Sequence, residues 1–147
     1  MMEQIKNEHT RLFGQLIRKH DSALSKICNK YGIYKGQQHI LKALEETPGL
    51  TQNELAKKIN VAKASITTSL NRMEKNGFVV RKKCEHDGRC NQIYITEKGI
   101  EANHGCSKEI NELKKALFSK INDDELNEVN ILLSKMIEGL NSLEEDK

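Results

Sequence analysis

The segment TPGLTQNELAKKINVAKASITTSLNRMEKNG, residues 47–77, constrains the fold most, because it fits two short helices joined by a tight turn. Its proline and first glycine end whatever helix comes before it. Thr51 and Glu54 have the spacing of a capping box, in which each side chain satisfies a backbone donor at the start of a helix. Asn60 tolerates the left-handed conformation that ends a helix, and Gly77 ends the second one. The segment therefore predicts a helix-turn-helix.

Apolar residues recur at helical spacing within this segment, so that each helix has one face to bury. The first helix would bury Leu55 and Ile59, and the second would bury Ile66, Leu70 and Met73. Ala56 is small enough for the helices to cross closely, while Val61 and Ile66 occupy positions that the motif requires to be apolar. An ordinary helical hairpin has the same spacing, so both interpretations remain open on this motif alone.

The second helix leaves a set of small, mostly hydroxyl-bearing residues outside its apolar face. Such side chains fit the major groove of DNA and hydrogen-bond to base edges, although they also occur on helices that only face solvent. If this is a recognition helix, the contacts come from Lys63, Ala64, Ser65, Thr67, Thr68 and Asn71.

A β-hairpin is predicted directly after this helix. The runs FVVRKKC and CNQIYIT are rich in strand-forming residues, and the loop EHDGR between them contains an Asp-Gly pair typical of hairpin turns. A β-hairpin that directly follows a recognition helix is called a wing. Arg89 in its loop suits a narrow, electronegative minor groove, and we expect Asp87 to hold the Arg89 guanidinium by a bidentate pair. Arg81, Lys82 and Lys83 are predicted to lie where phosphates pass.

Charge is distributed unevenly along the 147 residues, although the net charge is only +3. Residues 1–54 carry a net +2, residues 55–98 a net +6 and residues 99–147 a net −5. A basic central segment between more acidic ones is typical of a module that binds a polyanion, but also of a solvated lysine-rich surface.

An enzyme is the least supported class of function, since a glycine-rich phosphate loop, paired carboxylates and a C-x-x-C motif are all absent from the sequence. A helical interaction protein remains an alternative. Salt-sensitive binding to duplex DNA would distinguish a DNA-binding regulator from it.

The N-terminal and C-terminal segments are predicted to form long amphipathic helices. The stricter pattern is a heptad repeat near the C-terminus, which we call the heptad face and define as Leu126, Val129, Leu133, Met136, Leu140 and Leu143. Packing within one chain would explain the repeat. A dimer is favoured because the terminal helices, which flank a small central domain, have little else to pack against. No apolar run is long enough for a membrane span and the first residues are polar, so we expect a cytoplasmic protein.

The sequence DGRCNQIYITEKG, residues 87–99, resembles the D-x-R…L-T-x-x-G wing signature of MarR-family transcriptional regulators, and residues 50–81 resemble the helix-turn-helix that precedes it. This resemblance implies a mainly α fold with a small antiparallel β-hairpin. It also implies a winged helix-turn-helix lobe at residues 35–98 between dimerisation helices at 1–33 and 100–147. Ile95 and Thr68 depart from the usual leucine and arginine.

The resemblance further implies a homodimeric repressor that binds a palindromic double-stranded DNA operator and needs no cofactor. In the family, repression is usually relieved by a small phenolic or lipophilic ligand, and in some branches by thiol oxidation or metal. Related proteins hold such ligands between the first two helices and the DNA-binding lobe, which points to Arg18, His20 and His39 here.

Four cysteines are present, and we expect free thiols in a cytosolic chain. Cys28 lies towards the end of the first helix, where the thiol-sensing branch keeps its cysteine, but a small buried apolar role is the common one. Cys84 and Cys90 face each other across the wing loop, so oxidation would join them and lock the wing, unless they are incidental thiols. No metal site is predicted, because Cys84, His86 and Cys90, like His104 and Cys106, lack the spacing of a zinc site.

Overall fold

The structure is a computed structural model that describes residues 1–145, and within them it has six helices and three short strands. The helices are α1 (Met2–Lys30), α2 (Gln37–Glu46), α3 (Gln52–Lys58), α4 (Lys63–Lys75), α5 (Glu97–Phe118) and α6 (Asp123–Glu145). The strands are β1 (Leu50–Thr51), β2 (Val79–Lys83) and β3 (Asn91–Ile95). The predicted fold class, mainly α with a small antiparallel hairpin, is confirmed.

The sheet is antiparallel, with strand order β1-β3-β2. Strands β2 and β3 form the predicted wing hairpin, with Val79 opposite Ile95 and Lys83 opposite Asn91. Strand β1 was not predicted. It pairs Leu50 with the fully buried Ile93, and so fixes the start of α3 to the base of the wing.

Helix α3 begins and ends at the residues predicted from the sequence. The Thr51 hydroxyl accepts from the backbone N–H of Glu54 at 3.3 Å, and the Glu54 carboxylate accepts from the backbone N–H of Thr51 at 2.8 Å. This completes the capping box at the start of α3. Asn60 adopts a φ of 53°, the left-handed conformation expected at the end of this helix.

The core of residues 1–110 forms where α2, α3, α4 and the sheet meet. Of the apolar side chains predicted to be buried, Leu55, Ile66, Leu70 and Met73 are buried and Ile59 is half-buried against them. Val61 is the exception, because its side chain is 42% exposed. Its backbone N–H closes the turn by donating to the carbonyl of Ala56 at 3.1 Å, so this position contributes through the main chain and not through apolar packing.

Polar contacts join α2 to the first half of α5. The Asn103 amide donates to one oxygen of Glu45 at 2.5 Å, and His104 Nε2 lies 2.5 Å from the other oxygen. Gln38, which is buried, donates to Asn103 at 3.2 Å. Because the Asn103 amide and the His104 ring stabilise the carboxylate, the pKa of Glu45 lies below its usual value.

The end of α1 is held against α5 by a second polar cluster. The Tyr31 hydroxyl donates to Glu109 Oε1 at 2.6 Å, and Lys30 Nζ lies 2.5 Å from the same oxygen. These two donors, Lys30 first, lower the pKa of the Glu109 carboxyl. A side chain at Gly105 would collide with the Tyr31 ring, so glycine permits this close packing.

Cys28 and Cys106 are buried between α1 and α5, and their sulfur atoms lie 3.7 Å apart. Burial raises the pKa of the Cys106 thiol to about 12, with a further contribution from the adjacent Cys28. A thiol that stays protonated is a poor nucleophile and reacts slowly with oxidants. Both residues belong to the apolar core.

The chain divides into two compact units, Met1–Ile110 and Asn111–Lys147. The second unit contains the end of α5 and all of α6, which begins with a reciprocal cap: Asn122 Oδ1 accepts from the Glu125 backbone and Glu125 Oε2 accepts from the Asn122 backbone. On the heptad face, Leu126 and Val129 are half-buried, whereas Leu133, Met136, Leu140 and Leu143 are exposed. No described helix is long and apolar enough to cross a membrane.

Candidate nucleic-acid interface

The recognition-helix positions predicted from the sequence all lie on the surface of α4. Six residues are exposed there: Lys63, Ala64, Ser65, Thr67, Thr68 and Asn71. On the opposite side of the helix, Ile66, Leu70 and Met73 are buried in the core. Helix α4 is therefore held by an apolar face and presents a polar one.

Several polar groups on this face are already hydrogen-bonded within the protein. The Thr67 hydroxyl donates to the carbonyl of Lys63 at 3.0 Å and accepts from the side-chain amide of Gln52, which links α4 to α3. The Thr68 hydroxyl donates to the carbonyl of Ala64 at 3.3 Å. Thr67 thus acts as both donor and acceptor within the protein, whereas Thr68 keeps both oxygen lone pairs for a partner.

Arg81 on β2 points towards α4. Its guanidinium pairs with the Glu74 carboxylate and donates to Asn71 Oδ1 at 2.9 Å, and its backbone N–H donates to Glu74 at 3.2 Å. Lys82 and Lys83, predicted with it as phosphate contacts, are exposed on the same strand. The Lys82 ammonium lies 4.9 Å from the centre of the Tyr94 ring.

The wing loop is short and closed by its own backbone. The N–H of Cys84 donates to the carbonyl of Cys90 at 2.9 Å, and the N–H of Cys90 donates to the carbonyl of Asp87 at 3.0 Å. Arg89 is exposed at the tip. Asp87 Oδ1 accepts from the backbone N–H of Arg89 at 3.0 Å.

The predicted side-chain pair between Asp87 and Arg89 is wrong. Among the described residues, the Arg89 guanidinium does not form an ion pair with Asp87. A carboxylate two residues before an N–H in a tight turn reaches that N–H more readily than the end of a long side chain. Asp87 therefore shapes the turn that carries Arg89.

Cys84 and Cys90 form a disulfide across the base of this loop, with a Cα separation of 5.4 Å. The expectation of four free thiols is therefore wrong for this pair. Strand pairing places the two residues at the inner ends of β2 and β3, within the Cα range that a disulfide requires. Their sulfur atoms are not available as metal ligands in this state. Within the described residues, no group of three or more His, Cys, Asp or Glu side chains is placed to hold a metal ion.

A cavity of about 310 Å³ lies between the wing and the start of α3. Both wing arginines border it, together with polar side chains of α3, and its lining comprises Thr51, Gln52, Asn53, Arg81, Arg89, Cys90, Asn91 and Ile93. Sequence reasoning missed Gln52 and Asn53.

The predicted effector residues lie on two helices. Arg18 is exposed and His20 half-buried on α1, whereas His39 is exposed on α2. His39 borders a cavity of about 380 Å³ between α2 and α3, whose lining contains neither α1 residue. The lining comprises His39, Lys42, Ala43, Glu46, Lys58 and Ile59.

Comparison with known proteins agrees with this architecture. The MarR family model matches residues 33–91. The homoprotocatechuate degradative operon repressor of Escherichia coli is 26% identical over 141 residues, which cover 94% of this chain and 95% of that protein. Among solved structures, a MarR family transcription regulator superposes with a TM-score of 0.81 at 17% identity, covering 100% and 99% of the two chains. A mutant of MarR from Escherichia coli complexed with operator DNA gives 0.71 at 24% identity, covering 86% and 91%.

Proposed function

The chain belongs to the MarR family of transcriptional regulators, and from this premise we propose that it is a homodimeric repressor that binds a palindromic DNA operator. The observation that carries the proposal is the exposed polar face of α4 beside a basic wing, on a fold whose apolar residues hold both in place. Repression is supported by the Escherichia coli relative, which is named an operon repressor and matches nearly the whole chain.

The proposed contacts divide between the two grooves and the backbone. Helix α4 enters the major groove through Thr68, Asn71 and their neighbours, since a helix of this kind fits that groove. Arg89 enters the adjacent minor groove from the wing tip. Lys82 and Lys83 neutralise phosphates and add affinity without sequence preference.

Dimerisation is proposed to use the heptad face on α6. Its residues Leu133, Met136, Leu140 and Leu143 are between 42% and 65% exposed in the single chain. Exposed leucines at heptad spacing are costly in water and pair readily with a second copy of the same helix. Two copies are also what a palindromic operator requires.

Relief by a small phenolic or lipophilic ligand is proposed near the residues Arg18, His20 and His39. The cavity beside His39 has the volume of a small-molecule site. Lys58 there lies 3.7 Å from the Glu46 carboxylate, so Lys42 is the lining cation that suits an acidic phenol. The Escherichia coli relative is named for homoprotocatechuate degradation, and homoprotocatechuate is such a compound. A ligand here would bear directly on α3 and so on the helix-turn-helix.

Sequencing the DNA that co-purifies with the protein from its host tests this proposal. We expect enrichment of a few palindromic sites upstream of genes. A titration of the protein with one of these DNA sites, in the presence and absence of a phenolic acid, tests ligand relief. The affinity for DNA should fall when the ligand is present. DNA recovered without any shared sequence contradicts the proposal.

Replacing the wing arginine is expected to weaken operator binding while the fold and dimer persist. Arg89→Ala should cost roughly 1–3 kcal/mol of binding free energy, because a buried minor-groove cation is lost. Asp87→Ala should cost less, since it removes only the hydrogen bond that shapes the turn. Titrations at one fixed salt concentration measure both effects. An Arg89→Ala protein with unchanged affinity would show that the wing tip does not enter the groove.

The Cys84–Cys90 disulfide favours a second candidate, in which wing oxidation regulates binding. The bond closes the loop that carries Arg89, so its reduction should free the wing tip and lower operator affinity. We expect the Cys84→Ser/Cys90→Ser double variant to bind like the reduced wild-type protein, with or without mild peroxide. Mass spectrometry identifies the bond and a parallel titration measures affinity. Equal affinity of the oxidised and reduced proteins, or no disulfide after peroxide, excludes this switch.

A further inference from the structure

We propose that Arg81 is a positioning residue for base recognition, which fixes the Asn71 side chain so that it offers only hydrogen-bond donors to DNA. This inference rests on the proposed function, because it concerns what α4 presents in the major groove. It departs from the sequence-based expectation that Arg81 contacts phosphate. It also limits which bases Asn71 can recognise.

The geometry around Arg81 leaves it little freedom. The side chain is only 19% exposed, and the guanidinium is shared between Glu74 and Asn71. Its backbone also donates to Glu74 at 3.2 Å, so α4 and β2 are joined at three points. An arginine engaged by a carboxylate and an amide oxygen in this way has lost most of its rotamer freedom.

Asn71 and Glu74 are both exposed, and Asn71 is the one that lies among the proposed base-contacting positions of α4. Its amide oxygen accepts from the Arg81 guanidinium at 2.9 Å, which fixes the amide orientation because guanidinium nitrogens can only donate. Turning the amide by half a turn would place its NH₂ group against the cation. The Asn71 NH₂ group, with its two donors, is therefore the part left to face DNA.

This orientation changes the base preference expected of an asparagine. A free asparagine recognises adenine with two hydrogen bonds, for which it needs its oxygen as well as its NH₂ group. With the oxygen engaged by Arg81, Asn71 matches only acceptors. In the major groove guanine presents two adjacent acceptors, N7 and O6, whereas adenine presents its N7 acceptor beside an N6 donor. The site should therefore select guanine against adenine at the contacted position, because the Asn71 donors meet two acceptors on guanine but an acceptor and a donor on adenine.

The neighbouring threonines complete a fixed pattern on α4. Thr67 donates to the Lys63 carbonyl and accepts from Gln52, so it has no free donor for DNA and one oxygen lone pair left. Thr68 donates to the Ala64 carbonyl and retains acceptor capacity. The face thus offers an acceptor at Thr68 and donors at Asn71.

Selection from a pool of random DNA duplexes tests this inference with the full-length protein. Asn71→Ala identifies the symmetry-related positions at which preference depends on Asn71. At those positions wild-type protein should prefer guanine to adenine by about tenfold, the scale of one good base contact. Arg81→Gln frees the Asn71 oxygen and should reduce this preference to about threefold or less, while Arg81→Lys restores part of it.

Two further variants separate positioning from general effects. Lys82→Ala should weaken binding to every sequence equally and leave the base preference unchanged. Asn71→Asp keeps the contact to Arg81 but offers no donor, so the guanine preference should disappear in a protein of normal thermal stability. A wild-type preference for adenine at these positions, or an unchanged preference in Arg81→Gln, overturns the inference. Wild-type protein that enriches no sequence overturns the proposed function as well.

Discussion

Leu133→Glu is expected to convert the protein to a monomer and to lower its affinity for a palindromic operator by at least about 100-fold. Leu133 is central in the heptad face and 42% exposed in the single chain. In a dimer it would be buried against the same helix of a second copy, where an unpaired carboxylate costs several kcal/mol. The monomer would keep one recognition helix, whereas the operator requires two about 34 Å apart.

Sedimentation and DNA titration measure the two halves of this result. Asn127→Glu is the matched control, because it adds the same charge to an exposed position on α6 outside the heptad face. This control should remain dimeric and bind DNA normally. If Leu133→Glu sediments as a dimer, the interface lies elsewhere on the chain.

Gly99→Ala is expected to destabilise the fold by about 3 kcal/mol, at the upper end of the usual cost of overpacking. Gly99 is buried in the first turn of α5, and an added methyl group would overlap the carbonyl oxygen of Phe78. It would also lie 2.7 Å from Cγ1 of Ile95, at the end of β3. The Phe78 carbonyl already accepts from Thr96, so backbone atoms cannot move aside without breaking the sheet end.

Thermal unfolding at one fixed protein concentration measures this effect, since the stability of a dimer depends on concentration. Gly139→Ala is the control: it also lies inside a helix, but its added methyl group meets no atom within 4 Å. There the better helix propensity of alanine should stabilise the protein by up to about 1 kcal/mol. Equal melting temperatures for the two variants would contradict the close approach at Gly99.

Features governed by neighbouring residues were predictable from the sequence. The capping box of Thr51 and Glu54 and the left-handed Asn60 depend on contacts within a few residues, so their spacing was sufficient. The hairpin followed in the same way from its Asp-Gly turn. Burial of Leu55, Ile66 and Leu70 followed from helical periodicity, because an apolar face needs a core.

Features that join distant residues were not predictable in this way. Strand β1 exists because Leu50 meets Ile93, and two residues have no periodicity that would reveal them. Arg81 was placed on a strand near phosphates, but its partners Glu74 and Asn71 come from another element. Asp87 was predicted to contact Arg89, and it does, but through a different atom. Opposite charge suggested a pair with the Arg89 guanidinium, whereas the turn brings the Asp87 carboxylate to the Arg89 backbone N–H.

A titration of wild-type protein with a co-purified palindromic duplex, repeated at several salt concentrations, tests the central claim most directly. We predict that two chains bind each duplex and that affinity falls steeply with salt, because lysines and arginines on α4 and the wing displace counterions from several phosphates. A duplex with the same composition in scrambled order should bind at least about 1,000-fold more weakly. Equal affinity for the palindromic and scrambled duplexes, or binding that does not change with salt, would contradict the account.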